Sequence, residues 1–465
     1  MVPLATDAGA SSRPQPVDAG PGGPEPDAGA RGPVFLFWAQ VVGNAGLFVA
    51  LLLVTRALGP SGRGTVAFIS VTALVTAWVA RLGVTEATVV FAAQRPAARP
   101  VLLSNIFAFA TAAGSAGALL VSSALLLVPD ARPPGLGNGG VAVLALGIVA
   151  SALADSGYRF LLGCSRFRAH ALTTVATSWL YPLVVAVVWA LAGLTALTAA
   201  LIWVATQGLR ALSLFSVAAR ESGFGRPSRT LLDESMRFGV RAWVGTLADS
   251  LNFRIDQILI ALIASEAALG LYAVAVSVSE VLQYLPGAIA TALLPLVAGS
   301  DPQQRVERTL RAFRSTTLAT LASSAAAALV VPPLLPVVFG AAFEDSVVPF
   351  LVLLLGAIGF SAMNVFANAL VASSRPALSS LAPFVSLVVG LALDLLLIPR
   401  YEATGAAAAA SASFLAGGAT ALVSYRVTVP FPLRELVHPR RGDLDVLRAL
   451  VHPLTRVVPA RRGIP

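Results

Sequence analysis

No lysine occurs in this 465-residue sequence, and all 32 basic residues are arginine. A phosphate loop of the G-x-x-x-x-G-K-[ST] kind is therefore excluded, because that motif needs its lysine on the phosphates. Nucleoside triphosphate is not expected as the direct fuel. A single cysteine, Cys164, rules out an intrachain disulfide and a cysteine-rich zinc site. The three histidines, His170, His438 and His452, lack ligand spacing, so no metal and no other cofactor is expected. Charge is scarce as well. Charged residues make up 12% of the chain and hydrophobic residues 57%, whereas soluble domains carry about 25% and about 45–50%. With a mean hydropathy of +0.81, the chain reads as an all-α, polytopic membrane protein. In a soluble chain a net charge of +9 would suggest a nucleic-acid partner. Here the arginines gather in loops and a tail suited to a membrane surface, and no nucleic acid is expected.

What the sequence does have is apolar segments of the roughly 20 residues that a helix needs to cross a bilayer. Twelve are read, at about 34–54, 65–93, 101–128, 141–163, 171–192, 194–219, 235–262, 267–297, 310–339, 344–371, 377–398 and 404–425. They divide the chain into a disordered tail (1–33), an N-lobe (34–219), a linker (220–234), a C-lobe (235–425) and a basic tail (426–465). The loops on one side hold twelve arginines, among them Arg95, Arg166, Arg226 and Arg375. Those on the other hold only Arg56, Arg63, Arg132 and Arg400. The positive-inside rule then puts both termini in the cytoplasm. Catalytic signatures are missing. Asp443-Leu-Asp445 imitates a metal-binding D-x-D but has no nucleotide-binding fold around it, so no enzyme is expected.

An ionisable side chain at the centre of a membrane helix costs about 2.5–3.5 kcal/mol on insertion scales, so such groups face a bundle interior or a watery cavity. Arg241, Gly245, Asp249, Asn252 and Asp256 follow steps of four, four, three and four, which puts them on one helical face with Arg254 pointing away. Ser277, Glu280, Tyr284, Gly287 and Thr291 form a similar stripe on the next segment. Gln40 and Asn44 share a face of the first segment. Asp155 and Arg159, four apart, are either a self-neutralised pair or cavity lining. Arg81 and Glu86 flank Leu82-Gly83, where a bend is possible. Arg210 and Asp394, near helix ends, are expected to reach toward the membrane surface.

An internal repeat is visible. Leu58-Gly-Pro-Ser-Gly-Arg-Gly64-Thr-Val-Ala matches Ala264-Ser-Glu-Ala-Ala-Leu-Gly270-Leu-Tyr-Ala at an offset of 206, and Leu162-Gly-Cys-Ser-Arg166 matches Val371-Ala-Ser-Ser-Arg375 at 209. The second offset lays Asp155 on Asn364 and Arg159 on Asn368. Six spans separate the copies, so the repeat is parallel and its pseudo-twofold axis runs along the membrane normal.

Phe238-Gly239, Arg254-Ile255-Asp256, Gly270-Leu-Tyr-Ala273 and Leu285-Pro-Gly-Ala288, together with Pro336-Val-Val-Phe-Gly340, Leu396-Leu-Ile-Pro-Arg-Tyr401 and Thr404-Gly-Ala-Ala, resemble the polysaccharide (O-antigen-type) flippase branch of the multidrug/oligosaccharidyl-lipid/polysaccharide exporter superfamily. The resemblance covers nearly all of 34–425. It implies two six-helix lobes rocking about a central cavity in a bacterial cytoplasmic membrane, and a polyprenyl-diphosphate-linked oligosaccharide as cargo. Membrane lipids and polysaccharide assembly proteins are the implied partners. Arg241 and Arg81 are then the candidates for the diphosphate, and Gln40, Asn44, Asn252 and Tyr284 for the sugars, with Asp155 and Arg159 lining the path. Asp249, Asp256 and Glu280 either bind a coupling proton or sodium ion or serve as structural counter-ions. A cation-coupled small-molecule exporter, a lipid-linked peptidoglycan precursor flippase and, from another class, a membrane glycan transferase stay open as alternatives.

Overall fold

The computed structural model describes residues 31–128, 132–298, 301–373 and 375–437, with side chains described at all of these except 31–37, 283–298, 302, 303 and 376. The expected N-terminal tail lies outside these residues up to position 30, and residues 31–33 belong to the first helix. The D-x-D triplet and most of the basic tail are likewise outside the described residues.

Every described element is helical. In order they are α1 (Arg31–Ala80), α2 (Val84–Gln94), α3 (Arg99–Leu127), α4 (Asn138–Gly163), α5 (Phe167–Ala192), α6 (Ala196–Ser222), α7 (Arg229–Asn252), α8 (Ile255–Ile263), α9 (Glu266–Ala298), α10 (Pro302–Phe339), α11 (Val347–Ala372), α12 (Pro376–Ser379), α13 (Leu381–Thr428) and α14 (Arg434–Val437), with short 3-10 turns between some of them. Eight segments are long and apolar enough to cross a membrane. Two of these are double. α1 turns back at Gly59, whose φ of 68° suits glycine, and restarts on Pro60. α13 does the same at Glu402, φ 45°, just after Pro399. The remaining two spans are the charge-bearing α7–α8 pair and α9, so about twelve helices cross the membrane.

The two ends of the bundle differ. At one, the kink end, a continuous apolar core joins both lobes: Phe68, Ile69, Leu144 and Ile148 pack in the same cluster as Ile260, Leu269, Tyr272, Phe350 and Ile398. At the other, where the linker 223–228 passes, there are two separate cores, one around Phe91, Leu103 and Phe160, against which Leu231, Leu232 and Met236 of α7 pack, and one around Phe366, Phe414 and Tyr425.

The repeat is visible as geometry. A Cβ on Gly64 would strike the carbonyl of Glu266, and a Cβ on Gly270 would strike that of Pro60. Gly64 matches Gly270 and Pro60 matches Glu266 at the offset of 206, so this is a reciprocal contact of the kind a twofold axis produces. The second offset holds too. The Arg166 amide donates to the Leu161 carbonyl at 3.0 Å and the Arg375 amide to Leu370 at 2.9 Å; Cys164 to Phe160 and Ser373 to Ala369 are equivalent bonds at 3.0 Å.

Candidate functional site

Two helix breaks position the charges. The first lies between α1 and α2, where Leu82 and Gly83 take φ of 45° and 83°. A leucine there is strained by about 1–3 kcal/mol, and the surroundings hold it: a Cβ on Gly83 would run into the backbone of Gly239 and Val240, and one on Gly239 into the Gly83 carbonyl. Two backbones from opposite lobes touch at this point. Trp243 strengthens the seam by donating its indole N–H to the Trp78 carbonyl at 3.0 Å.

The break turns Arg81 inward, to 4% exposure. Its Nη1 lies 3.4 Å from Asp155 Oδ2 and 3.6 Å from Glu86 Oε1, while Arg159 approaches the same two carboxylates at 3.2 and 3.6 Å. The result is a closed ring of two cations and two anions from three helices. A guanidinium stays charged, and a buried charge is tolerated only with its partners; here the partners cancel it. The ring reaches the other lobe through Glu86, which accepts a hydrogen bond from Thr246 Oγ1 at 3.3 Å.

The second break falls at Phe253-Arg254, between α7 and α8. Because these two residues leave the helix, the spacing of threes and fours ends at Asn252, and Asp256 does not continue the stripe. Asp256 is buried and accepts from the Tyr272 hydroxyl and, at 2.7 Å, from the Gln257 amide. Asn252 is buried as well, donating to the Ala248 and Pro383 carbonyls at 3.0 and 2.8 Å, and so ties α7 to α13. Arg254 forks onto Glu280, with Nη1–Oε1 at 2.5 Å and Nη2–Oε2 at 3.4 Å.

Between the lobes, on the kink-end side of this second break, lies a cavity of about 390 Å³ whose polar lining is Asn44, Arg63, Ser70, Arg254, Gln257, Ser277 and Glu280, with Tyr181 and Trp203 on one wall. Arg254 and Glu280 compensate one another. Arg63 makes no ion pair among the described residues, and its Nε is buried without a hydrogen-bond partner. The cavity thus carries an uncompensated positive charge. On the other side of the break is a second cavity of about 370 Å³ inside the C-lobe, where Asp249, Asn364 and Asn368 face Phe253 and Phe360.

A family model of polysaccharide biosynthesis proteins matches residues 53–348. The chain belongs to this family. No curated protein sequence matches it. Among solved structures it is similar to the lipid II flippase MurJ in an inward closed conformation, with a TM-score of 0.72, 13% identity and coverage of 91% of this chain and 92% of that one. It is also similar to a multidrug resistance MATE family transporter in an inward-facing conformation, with a TM-score of 0.66, 14% identity and coverage of 85% and 98%. A third likeness is to a transporter of the same superfamily from Pyrococcus furiosus, with a TM-score of 0.54, 14% identity and coverage of 87% and 95%. This member of the polysaccharide biosynthesis family therefore has the fold of those membrane transporters.

Within that fold the candidate residues separate into four places. Arg81, Asp155 and Arg159 meet in the neutral ring. Asn44 and Glu280 line the central cavity, and Gln40 donates to Asn44 at 2.9 Å from outside the lining. Asp249 faces the C-lobe cavity. Arg241 stands apart at the linker end, exposed in a groove with Asp233, Glu234 and Arg237. The side chain of Tyr284 lies outside the described ones. Asp394, expected to reach the surface, is instead buried at 2% exposure, because α13 runs on past it to the kink at Glu402. Sequence reading missed Arg63 by assigning it to a loop. Pro60 carries the available signal: as the first residue of a new helix it sets Arg63, Val66 and Ser70 at steps of three and four on the face that lines the cavity. Asn364 and Asn368 came into view only as the repeat partners of Asp155 and Arg159.

Proposed function

We propose that this protein is a flippase that carries a polyprenyl-diphosphate-linked oligosaccharide across a bacterial cytoplasmic membrane by alternating access, with the linker end and both termini in the cytoplasm. The observation that carries the reading is the interlobe cavity with the uncompensated Arg63 beside Arg254. A diphosphate needs cations in a site where water is scarce, and arginine forks match its oxygens. Family membership supports the polysaccharide cargo. Arg63 and Arg254 take the place that the sequence suggested for Arg81 and Arg241: Arg254 is paired with Glu280 but lines the cavity, whereas Arg81 is buried inside its ring and Arg241 sits at the surface of the linker end. The prenyl tail stays in lipid beside the lobes. An exporter of organic cations would be poorly served by a cavity of this sign.

The reading is tested with full-length protein in liposomes loaded with a polyprenyl-diphosphate disaccharide, scoring the appearance of the sugar on the far leaflet with a soluble lectin. Losing a hydrogen bond to a charged group costs about 1.5–3 kcal/mol, so Arg63→Gln should slow transfer about tenfold or more. Its melting temperature should not fall, because Arg63 has no ion pair to break. Transfer at the wild-type rate in Arg63→Gln would overturn the proposal.

A further inference from the structure

The second cavity is unlike the first in sign and in partners, and the break at Phe253-Arg254 contributes to both: Phe253 lines the C-lobe cavity and Arg254 the central one. In the C-lobe cavity Asp249 has no hydrogen-bond or ion-pair partner among the described residues, and none of the described lining residues is a cation. Asn368 is equally without a side-chain hydrogen-bond partner among the described residues. Asn364 uses its Nδ2 on the Phe360 carbonyl at 3.0 Å, leaving its carbonyl oxygen free. Phe253 and Phe360, packed edge to face at 5.6 Å between ring centroids, form an apolar wall opposite these groups. The cavity holds about 370 Å³, within the range of small-molecule sites.

Free carboxylate and carboxamide groups facing an aromatic surface are complementary to one class of ligand. A carboxylate accepts two hydroxyl protons, an amide both donates and accepts, and a ring covers the apolar C–H face of a pyranose. An anion is disfavoured by Asp249. We propose that this cavity is a saccharide subsite, which holds a neutral sugar of the cargo while Arg63 and Arg254, across the break in α7–α8, hold its diphosphate. The inference rests on the flippase reading and extends it: the broken helix is the divider between an anion subsite and a sugar subsite, so the glycan contributes to recognition and the lipid diphosphate alone does not suffice.

Two probes separate the proposal from the reading beneath it: a short-chain prenyl diphosphate, and the same diphosphate carrying a disaccharide, each titrated against the purified full chain in lipid nanodiscs. The wild type should bind the glycosylated probe about tenfold more tightly than the bare one, as one or two hydrogen bonds to a charged group predict. Asp249→Asn and Asn368→Leu should each remove most of that difference while leaving the bare probe unaffected, and Arg63→Gln should weaken both probes together. Both C-lobe positions line open space, so the variants are expected to fold; their melting curves check this. Equal affinity of the wild type for the two probes, or an unchanged difference in both C-lobe variants, would overturn the subsite and leave the flippase reading standing. Failure of the wild type to bind either probe would overturn both. If sodium shifts the binding of both probes alike and Asp249→Asn abolishes that shift, the cavity is a cation site and the saccharide proposal is wrong.

Discussion

The fourth helix of each lobe occupies the same place in the repeat, yet the two carry opposite solutions to the problem of polar groups inside a membrane protein. In α4, Asp155 and Arg159 close a ring with Arg81 and Glu86, so that four charges are present and none is available. In α11, Asn364 and Asn368 stand at the matching positions with no charge to cancel, and they line an open cavity beside Asp249. Where α4 has two charged residues α11 has two amides, and these line a cavity. The N-lobe uses its polar residues to lock α1, α2 and α4 at the break by Gly83. The C-lobe leaves Asp249, Asn364 and Asn368 lining a cavity with no counter-charge on the described wall. At this pair of matched positions the pseudo-symmetry sets where polar side chains stand, and the residue type decides whether they close a ring or line a cavity.

The lock is the feature most easily broken. Arg81→Met leaves Glu86 and Asp155 with Arg159 as the one cation of the ring, and removing one partner of a buried pair costs about 3–5 kcal/mol. The variant should show a markedly lower melting temperature or fail to accumulate in the membrane. The comparison can then be sharpened by converting one lobe into the other. Asp155→Asn combined with Arg159→Asn gives α4 the pattern of α11 and removes one charge of each sign, leaving Arg81 opposite Glu86. Deleting a compensated pair is far cheaper than orphaning half of one, so the double variant should lose about 1 kcal/mol or less. A single Asp155→Asn, which unbalances the ring, should be less stable than the double variant. If the double variant were the least stable of the three, the four groups would be acting as separate pairs and not as a ring.

Much of this architecture could be read from the chain itself. Apolar run lengths set the number of spans, and two short matches at offsets of 206 and 209 revealed the repeat; at the first, Gly64 and Gly270 face backbone carbonyls that leave no room for a Cβ, and at the second the backbone hydrogen bonds at Arg166 and Arg375 are equivalent. The site was legible only in part, and the reason is the helix breaks. A face drawn at about 100° per residue is valid only while the helix continues. It failed at Phe253-Arg254, where Asp256 left the stripe and Arg254 entered the cavity, and at Gly59-Pro60, where Arg63 passed for a loop residue. The mutual neutralisation of Arg81 with Asp155 was hidden for a different cause. It joins residues 74 positions apart, and nothing in local spacing reports which helices are neighbours.

The smallest effect is expected at the linker-end seam, where the lobes also meet through an exposed pair. Arg95 grips Glu234 with Nη1–Oε2 at 3.0 Å and Nη2–Oε1 at 2.7 Å, and it lies 4.4 Å over the ring of Phe91, which packs on Phe238. The hydrogen bond from Arg95 holds the Glu234 carboxyl below its ordinary value, and the same bond holds the guanidinium above its own. A carboxyl lowered by its partner contributes fully above the ordinary carboxylate pKa and loses that contribution as the pH falls through the lowered value. Seam opening should therefore be insensitive to pH near neutrality and increase only in acid. Salt should mimic the acid effect, since both side chains are in water. Opening can be followed by thiol labelling at Ser235→Cys, a position 2% exposed and four residues before Gly239 on the seam face of α7. The native thiol of Cys164 gives little background, because burial pushes its pKa up to about 11 and keeps it protonated. At neutral pH, Glu234→Gln should raise the labelling rate by about twofold or less, as befits an exposed pair. Gly239→Ala, which drives a methyl into the Gly83 carbonyl, should raise it far more. Equal labelling in Glu234→Gln and wild type at low salt would show that the touching glycine backbones close this end alone, with the ion pair only decorating a seam already shut.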